Sequence, residues 1–287
     1  MAEPNRATCR RHQTIESDCR PLKELIKTLL GDSPQQLQGI DYSTLVDFSR
    51  ITELFISKHG EYTGNNPFPH IVIDDFLPES TLQLLLDQYP LDQDRKEWIH
   101  STPNLSAVQT EKRHLRDVLA MPKAYRELIW ELGSSHFLDA LTKLSGIRRL
   151  ISDPELQGAG IHQISRGGFL KIHADFSTHR KFDLARRLNF LLYLNQDWQE
   201  SWGGHLELWD KDMQGPPVRI LPKLNRCVIF STTANSYHGH PYPLQCPPGV
   251  HRKSIALYYY TNGRPEGEAE PTFATTWREV PEGYKQP

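Results

Sequence analysis

His173 and Asp175 stand two residues apart in GGFLKIHADF, His238 and His240 lie in STTANSYHGHPYP, and Arg252 follows in GVHRKSIALYYYT. On an extended strand, residues two apart share a face. The His173 imidazole and the Asp175 carboxylate can therefore reach one ion, while Ala174 points into packing. A histidine from a distant strand, His238 or His240, would complete a set of two imidazoles and one carboxylate. That set grips a divalent ion from one side and leaves up to three coordination positions open, the ligand pattern of non-haem Fe(II) sites that use dioxygen. A 2-oxo acid could chelate two of the open positions, leaving one for dioxygen. A guanidinium just past the second histidine offers the planar fork that the far carboxylate of such a co-substrate needs.

With thirteen histidines in the chain, a lone His-x-Asp carries little weight. The ordered set carries more: His-x-Asp on a strand-like run, YLNQDW, a Trp-Gly-Gly turn at Trp202–Gly204, Ser-Tyr-His, and Arg-x-Ser. Arg252 shares strand parity with Ser254 and Ala256, and Lys253 has the opposite parity. Pro241 ends regular pairing just beyond His240.

The elements that must hold these residues follow from periodicity. Residues 1 to about 20 are polar and read as a tail. From Leu22 to about Ser57 apolar residues recur at helical spacing, with a Gly-Asp-Ser-Pro break at Gly31–Pro34. HIVIDDF reads as a strand, and PESTLQLLLDQYP as a helix with a serine near its start. Residues 125–144 read as one further helix. After Gly146 the period changes to two, in FLKIHADF, RLNFLLYLN, HLELW, RCVIFST and KSIALYYYT. Leu170, Ile172 and Ala174 are expected on one face, with Phe169, Lys171, His173 and Asp175 on the other. In the next strand Leu188, Phe190, Leu192 and Leu194 oppose Asn189, Leu191, Tyr193 and Asn195. Helices followed by consecutive short strands predict an α+β fold, a jelly roll or sandwich buttressed by helices.

The 287 residues carry a formal charge of -2, which gives no global pull toward nucleic acid or an anionic membrane. No apolar run approaches the roughly 20 residues that cross a bilayer, and the N-terminus lacks a signal-peptide core. These features predict a cytoplasmic protein with neither nucleic-acid nor membrane partners; they leave its oligomeric state open. Cys9, Cys19, Cys227 and Cys246 fit neither a zinc site nor a disulfide framework.

Residues from about Phe68 to Tyr260, about two-thirds of the chain, resemble the prolyl-4-hydroxylase-like branch of the Fe(II)/2-oxoglutarate oxygenase superfamily. HADF, YLNQDW and HGHPYP…RKS together carry the resemblance. It implies a double-stranded β-helix, a distorted jelly roll, with an N-terminal helical extension. It favours His238 over His240 as third ligand, so that His173, Asp175 and His238 hold Fe(II). It places Tyr193 and Arg252 on the distal carboxylate of 2-oxoglutarate and Gln163, ten residues before His173, in the pocket lining. Domain limits of 1–62 for the extension, 63–265 for the oxygenase domain and 266–287 for an extended tail follow. The implied cofactors are Fe(II), 2-oxoglutarate and O2, and the resemblance admits ascorbate as a stimulant. The implied activity is hydroxylation of an unactivated C–H bond in a small-molecule, prolyl or peptidyl substrate.

Arg180, Lys181, Arg186 and Arg187, between HADF and YLNQDW, suggest a basic lip at the pocket mouth and hence an anionic substrate. His205 is expected on the rim, and His70 and His162 in structural places. Three rivals are weighed, one of them a non-catalytic binding module with a relict site, against which the intact ligands and anchor argue. A halogenase needs the carboxylate ligand replaced by a small residue, and Asp175 is present. A cupin-like metal-binding protein or enzyme that does not use 2-oxoglutarate would not need Tyr193 with Arg252.

Overall fold

The computed structural model describes residues 44–90, 97–100, 105–268 and 271–284. Thr44–Pro287 make one compact unit. The tail over residues 1–20, the helix from Leu22 to Leu30, and Cys9 and Cys19 lie outside the described residues.

Helix α1 (Phe48–Gly64) starts where the Asp47 carboxylate accepts from Arg50 N at 3.0 Å, and buries Ile51, Phe55 and Tyr62. It runs past Ser57, so the boundary at 62/63 falls inside it. Strand β1 (His70–Ile73) and helix α2 (Glu79–Asp87) follow. Pro78 is the α2 cap residue, and Ser80 sits in the first turn, near the helix start as expected. The single helix expected over 125–144 is two, α3 (Lys123–Leu132) and α4 (Ser135–Ser145). Gly133 ends the first, and the Ser134 hydroxyl caps the second by accepting from Phe137 N. The apolar period runs through this break unchanged because both helices bury against one core, which is why periodicity alone did not separate them.

Eleven more strands complete the sheet: β2 (Ile99–His100), β3 (Gln109–Leu115), β4 (Ile151–Ser152), β5 (Gly160–Ala174), β6 (Ala185–Tyr193), β7 (Leu206–Trp209), β8 (Val218–Ile220), β9 (Cys227–Ser231), β10 (Tyr237–His240), β11 (Arg252–Thr261) and β12 (Thr276–Arg278). All pairings are antiparallel, in the order β1-β9-β6-β11-β5-β10-β7-β8. Strand β5 belongs to two layers. Its residues 160–164 pair with β11, and its residues 170–173 pair with β10. The result is a nearly closed antiparallel barrel, a double-stranded β-helix.

Leu188, Phe190 and Leu192 of β6 pack outward against Phe55, Leu128, Phe137 and Leu141 of the helices. Asn189 and Leu191 point the other way, into a cavity between the layers. The alternation expected for β6 is thus what sets helices on one side of the sheet and polar chemistry on the other. No described helix is long and apolar enough to cross a membrane.

Strand β5 departs from strict alternation. His173 is the register partner of His238, but Leu170 is that of His240, so three steps on β5 oppose two on β10. This bulge turns Leu170 into the cavity with His173, away from Ile172 and Ala174, which pack with Trp209, Met213 and Tyr237. Gly239 lies against the bulge. A Cβ there would come 2.7 Å from the Lys171 carbonyl oxygen and 2.8 Å from that of Leu170. Gly239→Ala must push two backbones apart and is expected to cost about 1–3 kcal/mol, the range for overpacking. Chemical denaturation measures it, and unchanged stability with unchanged metal affinity would show that the strands part at no cost.

Candidate metal centre

His173 is the last residue but one of β5, Asp175 follows just past the strand's end, and His238 faces them from β10. The ring centroids of His173 and His238 are 4.4 Å apart. His173 Nε2 stands 3.5 Å from Asp175 Oδ1, and His238 Nε2 stands 3.4 Å from Asp175 Oδ2. One ligand atom from each residue lies within 4.8 Å of the others, and this is the one such His/Cys/Asp/Glu group among the described residues. Each imidazole donates Nδ1–H backward along its own strand: His173 to the Lys171 carbonyl and His238 to the Ser236 carbonyl, both at 2.9 Å. These bonds fix the tautomer and turn both Nε2 lone pairs toward the carboxylate, the orientation that metal-bound histidines have. Burial and the neighbouring His173 push His238 down to about 4, with Asp175 opposing them. His238 therefore stays neutral and able to ligate at physiological pH. The donors fit a divalent ion. His240 also lines the cavity but stands outside this group.

Burial alone would raise the Asp175 pKa. The Arg186 guanidinium, helped by His238 and His173, outweighs burial and holds it well below the usual carboxylate range. Arg186 Nη2 is 2.9 Å from Asp175 Oδ2, and Asn189 Nδ2 donates to the same oxygen at 2.7 Å. Arg186 also donates to Asn189 Oδ1 from Nε and Nη2, and its guanidinium carbon lies 3.5 Å from the Tyr258 ring centroid. The carboxylate is thus held by two side chains of β6 besides any ion.

This corrects the basic lip for Arg186 and Arg187, while Arg180 and Lys181 are exposed. Arg186 and Arg187 are buried on β6 rather than displayed on a loop. Arg187 pairs with Glu268 and Lys181 with Glu155. Strand β6 begins at Ala185, earlier than the run of apolar residues suggests: Arg186 lines the cavity, and Arg187, of opposite parity, is buried against Thr261 and Glu268. The C-terminal segment was also underread. Strand β12 adds beside the metal-ligand strand, pairing Trp277 with His173, and the two rings lie 5.0 Å apart. TFATTWREV has too little apolar periodicity to mark a strand.

Arg252 and Ser254 face the cavity, as their parity predicts. Arg252 donates from Nε to the Gly204 carbonyl at 2.8 Å and from Nη2 to the hydroxyl of the fully buried Tyr193 at 3.2 Å. Burial raises the Tyr193 pKa against the pull of Arg252, so the phenol stays protonated and able to donate. Gly204 has φ +73°, and a Cβ there would meet Arg252 Cδ at 3.2 Å and Leu244 Cδ2 at 2.6 Å. The Trp-Gly-Gly turn is thereby what lets the backbone approach the guanidinium. Lys253 points to the opposite face, with Nζ 4.3 Å from the Tyr89 ring centroid.

Gln163 does not line the cavity. It is the register partner of Lys253 and accepts from the Tyr89 hydroxyl at 3.2 Å, on the outer face. His162 and Ile164 take the inward positions instead. Counting ten residues back from His173 crosses the bulge, which adds one step and reverses the face. His162, expected to be structural, is therefore a cavity residue. His205 is buried rather than on the rim, between Glu200, 2.6 Å from its Nε2, and Arg219, which donates to its Nδ1 at 3.1 Å. His70 is buried and bonds the Phe68 carbonyl through Nδ1 at 2.8 Å.

Residues 159–260 match the family model described as 2OG-Fe(II) oxygenase superfamily. No curated protein matches the chain in sequence. Among solved structures, the fold is similar to a prolyl-4-hydroxylase from Pseudomonas putida, with TM-score 0.52 and 14% identity over 72% of this chain and 99% of that one. It is also similar to a prolyl hydroxylase from Trichoplax adhaerens, solved with a hypoxia inducible factor oxygen degradation domain peptide, with TM-score 0.51 and 17% identity over 80% of this chain and 94% of that one. The match to the 2OG-Fe(II) oxygenase model thus spans the strands that carry the metal centre and Arg252, on a double-stranded β-helix fold similar to that of these two solved structures.

Proposed function

We propose that this protein is an Fe(II)- and 2-oxoglutarate-dependent dioxygenase that hydroxylates an unactivated C–H bond of a small-molecule, prolyl or peptidyl substrate and releases succinate and carbon dioxide. Fe(II) and 2-oxoglutarate are the cofactors of the superfamily whose model its residues 159–260 match. The observation that carries the reading is that one cavity is lined both by His173, Asp175 and His238 and by Arg252. In this reading His173, Asp175 and His238 hold the iron, and Arg252 with Tyr193 receives the distal carboxylate of 2-oxoglutarate. The metal and co-substrate together supply the oxidising chemistry when bound. The protein's own part is orientation and exclusion of water. Arg186 and Asn189 keep Asp175 ionised and aimed, the two Nδ1–H bonds keep the imidazoles turned, and Trp277 covers His173. The catalytic domain expected over 63–265 would extend back to include the whole of α1.

The cupin-like alternative has no use for a buried Arg252–Tyr193 pair beside the triad. The deciding experiment adds 2-oxoglutarate to the Fe(II) protein under nitrogen and records visible absorption. A charge-transfer band that saturates with 2-oxoglutarate is expected, together with substrate-stimulated succinate release in air. Fe(II) binding with no spectral or calorimetric response to 2-oxoglutarate would sink the reading in favour of the cupin-like one.

A further inference from the structure

His240 is 3% exposed, and neither of its ring nitrogens has a hydrogen-bond partner. A buried polar group left unpaired costs about 1–3 kcal/mol, so two idle nitrogens in one imidazole call for an explanation. The ring is not sealed in apolar core, because it lines the cavity. Its place there is set by backbone. The bulge pairs His240 with Leu170, and both line the cavity, while Gly239 allows the close approach of the strands. His238 and His240 therefore face the same space from one strand, two residues and roughly 7 Å of strand apart. Arg252 and His173 both lie within electrostatic reach of the His240 ring. His240 thus shares one cavity with the metal ligands and with the guanidinium. A neutral imidazole carries one N–H donor and one acceptor nitrogen.

We propose that His240 is a co-substrate-binding residue of this chain, donating an imidazole N–H to a carboxylate oxygen of 2-oxoglutarate held between the metal ligands and Arg252. The proposal rests on the 2-oxoglutarate reading above. It gives the second histidine of His-Gly-His a role other than metal ligation, and it accounts for one of the two idle nitrogens, the N–H donor, which becomes partnered when the cavity fills.

Calorimetric titration of the protein with Mn(II), and then of the Mn(II) protein with 2-oxoglutarate, tests it without turnover. His240→Leu should bind Mn(II) as wild type does and 2-oxoglutarate about tenfold more weakly, the scale of one hydrogen bond to a charged group. His240→Gln, which restores a donor of similar reach, should recover most of that loss. A His240→Leu affinity for 2-oxoglutarate within twofold of wild type would overturn the proposal, as would a parallel loss of Mn(II). A His240→Gln variant as weak as His240→Leu would also overturn it. If wild-type protein fails to bind 2-oxoglutarate at all, the dioxygenase reading itself falls, and that outcome is separate from the variant comparison.

Discussion

His173→Ala, Asp175→Ala and His238→Ala are each expected to lose stoichiometric Fe(II), and Mn(II), Co(II) or Ni(II) should replace iron in the wild-type protein. Each ligand is one of three on an ion with open positions, so no protein donor stands ready to replace it. His240→Ala should retain the metal, because His240 lies outside the group of ligand atoms within 4.8 Å of one another. The three losses should differ in stability. Asp175→Ala strands the Arg186 guanidinium, whose side chain is 1% exposed and whose Nη2 lies 2.9 Å from the carboxylate. Removing one partner of a buried pair costs about 3–5 kcal/mol. The histidine variants leave no unpaired charge and should stay closer to wild type. Metal stoichiometry by elemental analysis and unfolding by denaturant separate the two effects. Metal retained in His238→Ala and lost in His240→Ala would mean that the third ligand is the other histidine. An Asp175→Ala variant as stable as His173→Ala would mean that Arg186 finds another partner.

The co-substrate anchor should show the steepest ranking. Truncating one side of a buried guanidinium–carboxylate pair costs about 2–5 kcal/mol. Arg252→Ala should therefore weaken 2-oxoglutarate roughly 30-fold or more, at about 1.4 kcal/mol per decade. Tyr193→Phe removes one neutral donor, worth about 0.5–1.5 kcal/mol. It also deprives Arg252 Nη2 of an acceptor at 3.2 Å, so its effect should lie between those of Arg252→Ala and Lys253→Ala. Lys253→Ala should be nearly silent, since that amine lies over Tyr89 on the opposite face. Binding of 2-oxoglutarate to the Mn(II) protein gives the order directly. A Lys253→Ala loss exceeding that of Arg252→Ala would place the anchor on the other face of β11.

The chemistry-bearing residues were legible from sequence wherever short-range strand parity decides their direction. His173 with Asp175, and Arg252 with Ser254 against Lys253, are separations of one or two residues, and the pleat alone sets their faces. The core of β6 was legible for the same reason: Leu188, Phe190 and Leu192 alternate with Asn189 and Leu191. Parity fails once a count crosses an irregularity. The bulge beside Gly239 reversed the face expected for Leu170 and removed Gln163 from the cavity in favour of His162. Arg186 shows a second limit. A run of basic residues in sequence does not say which of them will find a buried carboxylate. That depends on β5 and β6 being carried to the same cavity, which places Arg186 on Asp175. Residue types and local spacing singled out His173, Asp175 and the His238/His240 pair, with the family resemblance favouring His238, and set the phase of the anchor strand. Only the tertiary structure decided what surrounds them, namely Arg186 on Asp175, Trp277 over His173 and His240 facing the space near Arg252, because those contacts join strands far apart in the chain whose register no local pattern encodes.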